Sequence, residues 1–412
     1  MRPYAQPPTR GVNMSDFSPF ESPDSWAPAT QAIRGGLNRS PFGETAEALY
    51  LTQSFVYDSA EGANARFAGE DPGYIYSRYA NPTVKMFEDR LALLEGAENC
   101  RTTASGMSAI FTALSGLVRA GDHILASRAL FGSCRWLLTE YFPRFGVETS
   151  VVDGPDLTQW ENGFRPNTKA VLIESPANPL LEVVDVRAIC DLAHAAGAKV
   201  IVDNVFATPI FQKPLTLGAD IVVYSATKHI DGQGRVMGGV ILGDFKLLDE
   251  SYRDILRHTG PALSPFNAWI LLKGLETMDL RVRRQSDTAA QLADQIADSA
   301  KTRTTLYPLR KDHPQYEVAK RQMSGGSTLV AFDFGQQAKA FRFLNALKII
   351  DISNNLGDAK SMAVHPPTTT HRAMTEDQRQ EIGLTEGWVR LSVGLEDVTD
   401  LSRDIARALD AV

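Results

Sequence analysis

Cysteine is scarce in this chain. Three residues in 412, Cys100, Cys134 and Cys190, form no C-x-x-C pair, which excludes a disulfide scaffold and a cysteine-built structural zinc and points to a reducing compartment. Long apolar runs are missing too: none reaches the roughly 18 residues of a membrane helix, and the first residues lack the charged-then-apolar layout of a secretory signal. A cytoplasmic protein with no membrane partner and no metal is expected. Charge of one sign is nowhere concentrated. The 42 Lys and Arg against 49 Asp and Glu leave a net charge of −7, so nothing invites a nucleic acid and a small molecule is the better substrate. No G-x-G-x-x-G follows an apolar run, because Gly232, Gly234, Gly238 and Gly239 miss that spacing. A nicotinamide dinucleotide is therefore disfavoured.

What is present is ordinary globular material, 43% hydrophobic and 22% charged, and long enough for more than one core. Residues 1–30 hold six of the 22 prolines, so that arm is expected to be irregular, and Met14 offers a second candidate start. Residues 60–73, polar with several glycines, read as a loop before Asn81-Pro82-Thr83 opens a helix with apolar spacing at Val84, Phe87, Leu91 and Leu94. Apolar runs then recur at 123–126, 147–152, 170–173, 200–202, 221–223 and 240–242 between helical or loop segments. That alternation predicts an α/β fold with a mostly parallel central sheet. Residues 265–300 read as a long helical connector with two breaks at most. Runs at 328–334, 349–352 and 388–393 then announce a smaller C-terminal α+β domain. The division is an arm and inter-subunit segment over 1–78, a cofactor domain over 79–270 and a C-terminal domain over 271–412.

Ligands of parallel sheets sit at the carboxyl ends of strands, which directs attention to the residues just after each apolar run. After Ile221-Val222-Val223 come Tyr224-Ser225-Ala226-Thr227-Lys228: an amine beside two hydroxyls suits an imine with an aldehyde cofactor that carries a phosphate, pyridoxal phosphate. After 200–202 comes Asp203, a carboxylate that needs a cation there; a protonated pyridine nitrogen is such a cation. Ser105-Gly106-Met107 reads as the capped start of a helix with apolar residues at Met107, Ile110, Phe111, Leu114, Leu117 and Val118 on one face, and its first backbone N–H groups favour an anion. Arg78, between Tyr76 and Tyr79, is a candidate anion clamp, and Arg390, inside the alternating strand 388–393, needs an anion if it faces inward. Each residue alone also has a plain reading: a snorkelling lysine, a strand-end cap, a helix cap, a solvated arginine, a structural ion pair. Asp203 and Lys228, closing two strands of one sheet, carry more together than apart.

The stretches YSRYANPT, ASGMSAI, ESPANPL, VDN, YSATKHIDGQG and VRLSVGLED, in this order, resemble the pyridoxal-phosphate enzymes of cysteine and methionine metabolism, from about residue 35 to the end. The resemblance implies the aspartate-aminotransferase-like fold of pyridoxal-phosphate transferases. It makes Lys228 the cofactor-bonding lysine and proton shuttle, pairs Asp203 with the pyridine nitrogen, and puts Gly106, Met107, Ser225 and Thr227 at the phosphate. Asn178 would contact the ring hydroxyl and Arg390 the substrate carboxylate, with Asn355, Lys360 and Ser361 beside it. Tyr76 and Arg78 would reach the phosphate of a neighbouring subunit, so that dimers share active sites within a homotetramer. SATKHIDGQGRVMGG and DISNNLGDAKSM look most like the members that exchange the succinyl ester of homoserine for sulfide. The implied reaction is γ-replacement, with cysteine as nucleophile or γ-elimination as the alternatives and a non-catalytic binding protein a further one.

Two departures stand out. Phe131, in Leu130-Phe131-Gly132-Ser133-Cys134, replaces a tyrosine that stacks on the cofactor ring in many members; it stacks but moves no proton. Lys360 stands where members that handle cysteine or cystathionine carry glutamate. A lysine there would repel the distal ammonium of such an amino acid, which sulfide lacks.

Overall fold

The computed structural model describes residues 23–412; most of the proline-rich arm, with Met14, lies outside the described residues. Seven strands form the larger sheet: β1 (Asn99–Thr103), β2 (His123–Ser127), β3 (Glu148–Val152), β4 (Thr168–Glu174), β5 (Lys199–Asp203), β6 (Ile221–Ser225) and β7 (Gly239–Gly243). Their order is β1-β7-β6-β5-β4-β2-β3. Strands β2 to β6 pair in parallel, and β7 runs antiparallel to both β6 and β1. Each expected apolar run is one of these strands. The runs are continuous because both faces are covered: Ile221 and Val223 enter one apolar cluster while Val222 and Tyr224 enter another on the opposite face. Each such fully buried side chain contributes about 1.5–3 kcal/mol.

Strand β1, with the sequence Asn-Cys-Arg-Thr-Thr, had no apolar signal. It is a strand because tertiary contacts satisfy it: it pairs with β7, and Glu88 Oε1 accepts the Thr102 N–H at 2.8 Å.

The smaller sheet holds β8 (Thr304–Leu306), β9 (Leu329–Asp333), β10 (Asp351–Ile352), β11 (Met362–Val364) and β12 (Trp388–Ser392), in the order β10-β11-β12-β9-β8. Strands β8 and β11, three residues each, are too short to display a period of two. The connector is two helices, Pro265–Leu275 and Met278–Ala297. Along the second, Met278 and Val282 pack with the larger sheet's cluster, whereas Ala289, Leu292, Ala293 and Ile296 pack against the smaller sheet. No helix among the described residues is long and apolar enough to cross a membrane.

Two local expectations are corrected. Residues Ala60–Ala68 are a helix, not a loop: Ser59 Oγ accepts the Gly62 N–H at 3.0 Å and Gly69 closes the far end with φ 79°. The alanines favour helix, but no apolar face advertised it. The helix that begins at Gly106 ends at Ser115 and does not run on to Val118. At Gly116 a Cβ would stand 2.2 Å from the Tyr252 ring, so the chain turns where that ring, anchored by its hydroxyl on the Ala113 carbonyl, passes through.

Candidate active site

Strand ends β4, β5 and β6 and the start of the helix Gly106–Ser115 enclose a cavity of about 350 Å³. Nine residues singled out from sequence line it: Gly106, Met107 and Phe131, then Asn178, Asp203 and Ser225, then Thr227, Lys228 and Arg390. Lys228 sits in the turn after β6, and its Nζ donates to Asn355 Oδ1 at 2.9 Å. Burial, with Arg390 adding to it, pulls the amine down from 10.5 to about 8. That brings a neutral, nucleophilic amine within reach near neutral pH.

Asp203 ends β5 opposite Glu174, which ends β4. Asp203 Oδ1 accepts one backbone N–H, from Val205 at 3.1 Å, and burial pushes its carboxyl up to about 6. Glu174 accepts two, from Asn178 and Phe131, each at 2.8 Å. Burial first, then Asp203, pushes it up to about 8 against those bonds. No cation lies within salt-bridge distance of either carboxylate among the described residues, so the pair leaves a deficit of positive charge at the inner end of the cavity.

Arg390 points in from the middle of β12 with 1% of its surface exposed. Its Nη1 donates to Asn178 Oδ1 at 2.8 Å and its Nη2 to the Asn354 carbonyl at 2.9 Å, while Nε is buried without a partner among the described residues. Burial lowers its pKa to about 10; no carboxylate among the described residues pairs with it, so the guanidinium keeps an N–H free for an anion. At the third pole, Ser105 Oγ caps the helix by accepting the Ser108 N–H at 3.2 Å. A Cβ on Gly106 would stand 2.5 Å from Ser225 Cβ. Only glycine lets the helix start and the β6 end converge around an anion held by backbone N–H groups.

The structure does not bring every expected residue here. Lys360 Nζ lies on Asp358 Oδ1 at 3.1 Å with its side chain 61% exposed, and Ser361 Oγ donates to Glu396 Oε2 at 2.8 Å. Neither lines the cavity. Tyr76 and Arg78 are both exposed, and Arg78 lines a second cavity of about 570 Å³ with residues 72–75 and 79–81. There the Arg78 guanidinium covers the rings of Tyr76 (5.5 Å) and Tyr79 (4.9 Å) and donates to the Arg257 carbonyl.

Sequence reasoning missed Glu174, Asn354 and Thr370, which also line the site. Glu174 carries the same signal as Asp203, a carboxylate closing an apolar run. Asn354 and Thr370 come from loops around the smaller sheet and carry no local signal.

The three poles match one cofactor. Hydroxyls and helix-start N–H groups suit a phosphate, an uncompensated pair of carboxylates suits a pyridinium, and Lys228 suits an aldehyde carbon. A family profile described as Cys/Met metabolism PLP-dependent enzyme matches residues 29–410. An O-succinylhomoserine sulfhydrylase of Mycobacterium tuberculosis is 54% identical over 398 residues, 95% of this chain and 98% of that one. The one from Pseudomonas aeruginosa is 48% identical over 384 residues, covering 93% and 95%. A Campylobacter jejuni structure that contains N′-pyridoxyl-lysine-5′-monophosphate superposes with a TM-score of 0.89 at 30% identity, covering 93% of this chain and 100% of that one. A lysine, two carboxylates and an anion cradle converging in one cavity, on a fold shared with these proteins, place the chain in the family of pyridoxal-phosphate-dependent enzymes of cysteine and methionine metabolism.

Proposed function

We propose that the protein catalyses γ-replacement on an amino-acid ester in methionine biosynthesis: O-succinyl-L-homoserine and hydrogen sulfide give L-homocysteine and succinate. The observation that carries this reading is the 54% identity, across nearly the whole chain, to a protein named for that reaction. When bound, pyridoxal phosphate supplies an aldehyde carbon that exchanges amines and a ring that accepts an electron pair from the substrate.

The residues divide the remaining work. Gly106, Met107, Ser225 and Thr227 hold the phosphate. Asp203 keeps the pyridine nitrogen protonated, Asn178 meets the ring hydroxyl and Phe131 covers the ring face. Arg390, with its free Nε, binds the substrate α-carboxylate. Lys228 would bond the cofactor's aldehyde carbon, and its Nζ, when free, would take the α proton and move the proton at Cβ. Succinate then leaves Cγ, sulfide adds there, and the protons return. Asn355, bonded to Lys228 Nζ, steers that amine. Phe131 cannot share in proton transfer, which leaves Lys228 as the shuttle.

Residues 79–270 form the cofactor domain and 271–412 the domain that brings Arg390, supported by the change of packing partner along the helix Met278–Ala297. The active unit is a dimer, within a homotetramer, in which Tyr76 and Arg78 of one subunit reach the phosphate held by its neighbour. Their placement away from their own cavity supports this, as does the apolar surface on the same segment, where Val56 is 97% and Leu51 71% exposed.

The test is a competition between equal sulfide and cysteine for O-succinylhomoserine, with products identified by mass spectrometry. Mostly homocysteine is expected; mostly cystathionine would replace the sulfhydrylase reading with that of a synthase.

A further inference from the structure

Glu174 is an expensive residue to keep. It is 5% exposed, it ends β4 beside another carboxylate, and no cation pairs with it among the described residues. Yet both its oxygens are used, and on two different loops: Oε2 accepts the main-chain N–H of Phe131, in the loop after β2, and Oε1 that of Asn178, after β4, each at 2.8 Å. Asn178 in turn accepts Arg390 Nη1 at 2.8 Å. We propose that Glu174 is the positioning residue of the cofactor slot, one carboxylate that sets Phe131 and Asn178, and through Asn178 the guanidinium of Arg390, at a fixed distance from Asp203. The inference rests on reading Phe131 and Asn178 as contacts of the cofactor ring.

Carboxylate chemistry explains the choice. Two N–H donors converge on one side chain, and only a carboxylate offers them two acceptors; glutamine would turn an N–H against one of the two. Asp203 from β5, Arg390 from β12 and Cys134 from the short helix after Phe131 face Glu174; burial and Asp203 disfavour its anionic form, while the N–H groups of Asn178 and Phe131, and then Arg390, favour it. The arrangement links the pole that takes the pyridine nitrogen to the pole that takes the substrate carboxylate through a single side chain.

The test is Glu174→Gln in the holoenzyme. The visible absorbance of the Lys228-bound cofactor persists and the thermal midpoint is little changed. The circular dichroism of the cofactor band, which reports the pose of the ring, falls by at least about half, and kcat drops about 10²-fold with little change in KM for the ester. A variant with unchanged dichroism and kcat overturns the inference. If the variant does not fold, the wild-type holoenzyme decides by residue-resolved hydrogen exchange. The Phe131 and Asn178 amides are protected although both lie in loops, and exchange at exposed-loop rates overturns the inference. Should Phe131→Ala and Asn178→Ala leave the dichroism untouched, the reading of these residues as ring contacts fails and takes the inference with it. Should they change it while Glu174→Gln does not, the inference alone fails.

Discussion

Arg390 and Arg78 look alike in the sequence, each an arginine among apolar or aromatic neighbours, and the structure treats them in opposite ways. Arg390 is enclosed, held by Asn178 and the Asn354 carbonyl, and keeps one N–H without a partner among the described residues. Arg78 is exposed, lies across two tyrosine rings and leans on a carbonyl near the end of the helix Arg253–Thr259. A buried guanidinium with a spare donor costs too much to keep unless an anion comes to it. An exposed one costs little and is free to serve another chain. The first belongs to the pole for the substrate carboxylate, whose residues come from one chain; the second fits the proposal that the phosphate pole of the same site is completed by a neighbour.

The largest effect expected is at the residue both arginines serve. Lys228→Ala abolishes turnover while cofactor still binds non-covalently through its phosphate contacts, measured by equilibrium dialysis beside the activity assay. Mixing that variant with Arg78→Ala sharpens the comparison. If Arg78 acts across the interface, random mixed dimers hold one intact site and recover about a quarter of wild-type activity; no recovery would return Arg78 to its own subunit.

Next is Arg390→Ala, which lowers kcat/KM for the ester by about 10²–10³-fold, as befits removal of one partner of a buried charged pair. Cofactor affinity, read by fluorescence, changes far less. An equal loss in both would mean that Arg390 organises the cofactor and not the substrate.

A smaller effect concerns the carboxylates that Arg390 does not neutralise. Asp203 is raised from 3.8 to about 6 and Glu174 from 4.5 to about 8, so the folded, cofactor-free protein holds these protons more tightly than the unfolded chain. Their contribution to stability is full below the unfolded values and is lost as pH rises through the folded ones. Thermal unfolding of cofactor-free protein therefore loses stability between about pH 4 and pH 8, with ~2 kcal/mol of the loss due to Asp203. Asp203→Asn removes that part of the slope, and bound cofactor flattens it by supplying the cation.

The smallest effect is expected at Lys360. Its ammonium is exposed and lies on the buried Asp358 outside the cavity, so solvent screens its charge from the site. Lys360→Ala shifts the preference between sulfide and cysteine by less than about 3-fold; a larger shift in the competition assay would restore the electrostatic argument made from sequence.

Legibility followed the range of the interaction. Lys228 and Asp203 could be read because a charged residue closing an apolar run is a local pattern with few inexpensive explanations. Glu174 showed the same pattern, but its role depends on two loops converging on it, which no spacing encodes. The helix Ala60–Ala68 was missed because exposed alanine-rich helices lack an apolar stripe, and β1 because its strand character comes from β7 and Glu88. At Lys360 the charge was legible, but its direction was set by Asp358, two residues away.

The sequence by itself determined the parallel sheet, the strand-end lysine and aspartate, the glycine at the helix start and the resemblance that named the cofactor. These rest on burial periodicity and on residue types that tolerate no substitute at short range. Tertiary structure alone decided which side chains share the cavity: that Arg390 reaches Asn178 across 212 positions, that Glu174 sits between two loops, and that Tyr76 and Arg78 face away. Side-chain direction at long range is fixed by packing, and packing is a property of the whole chain.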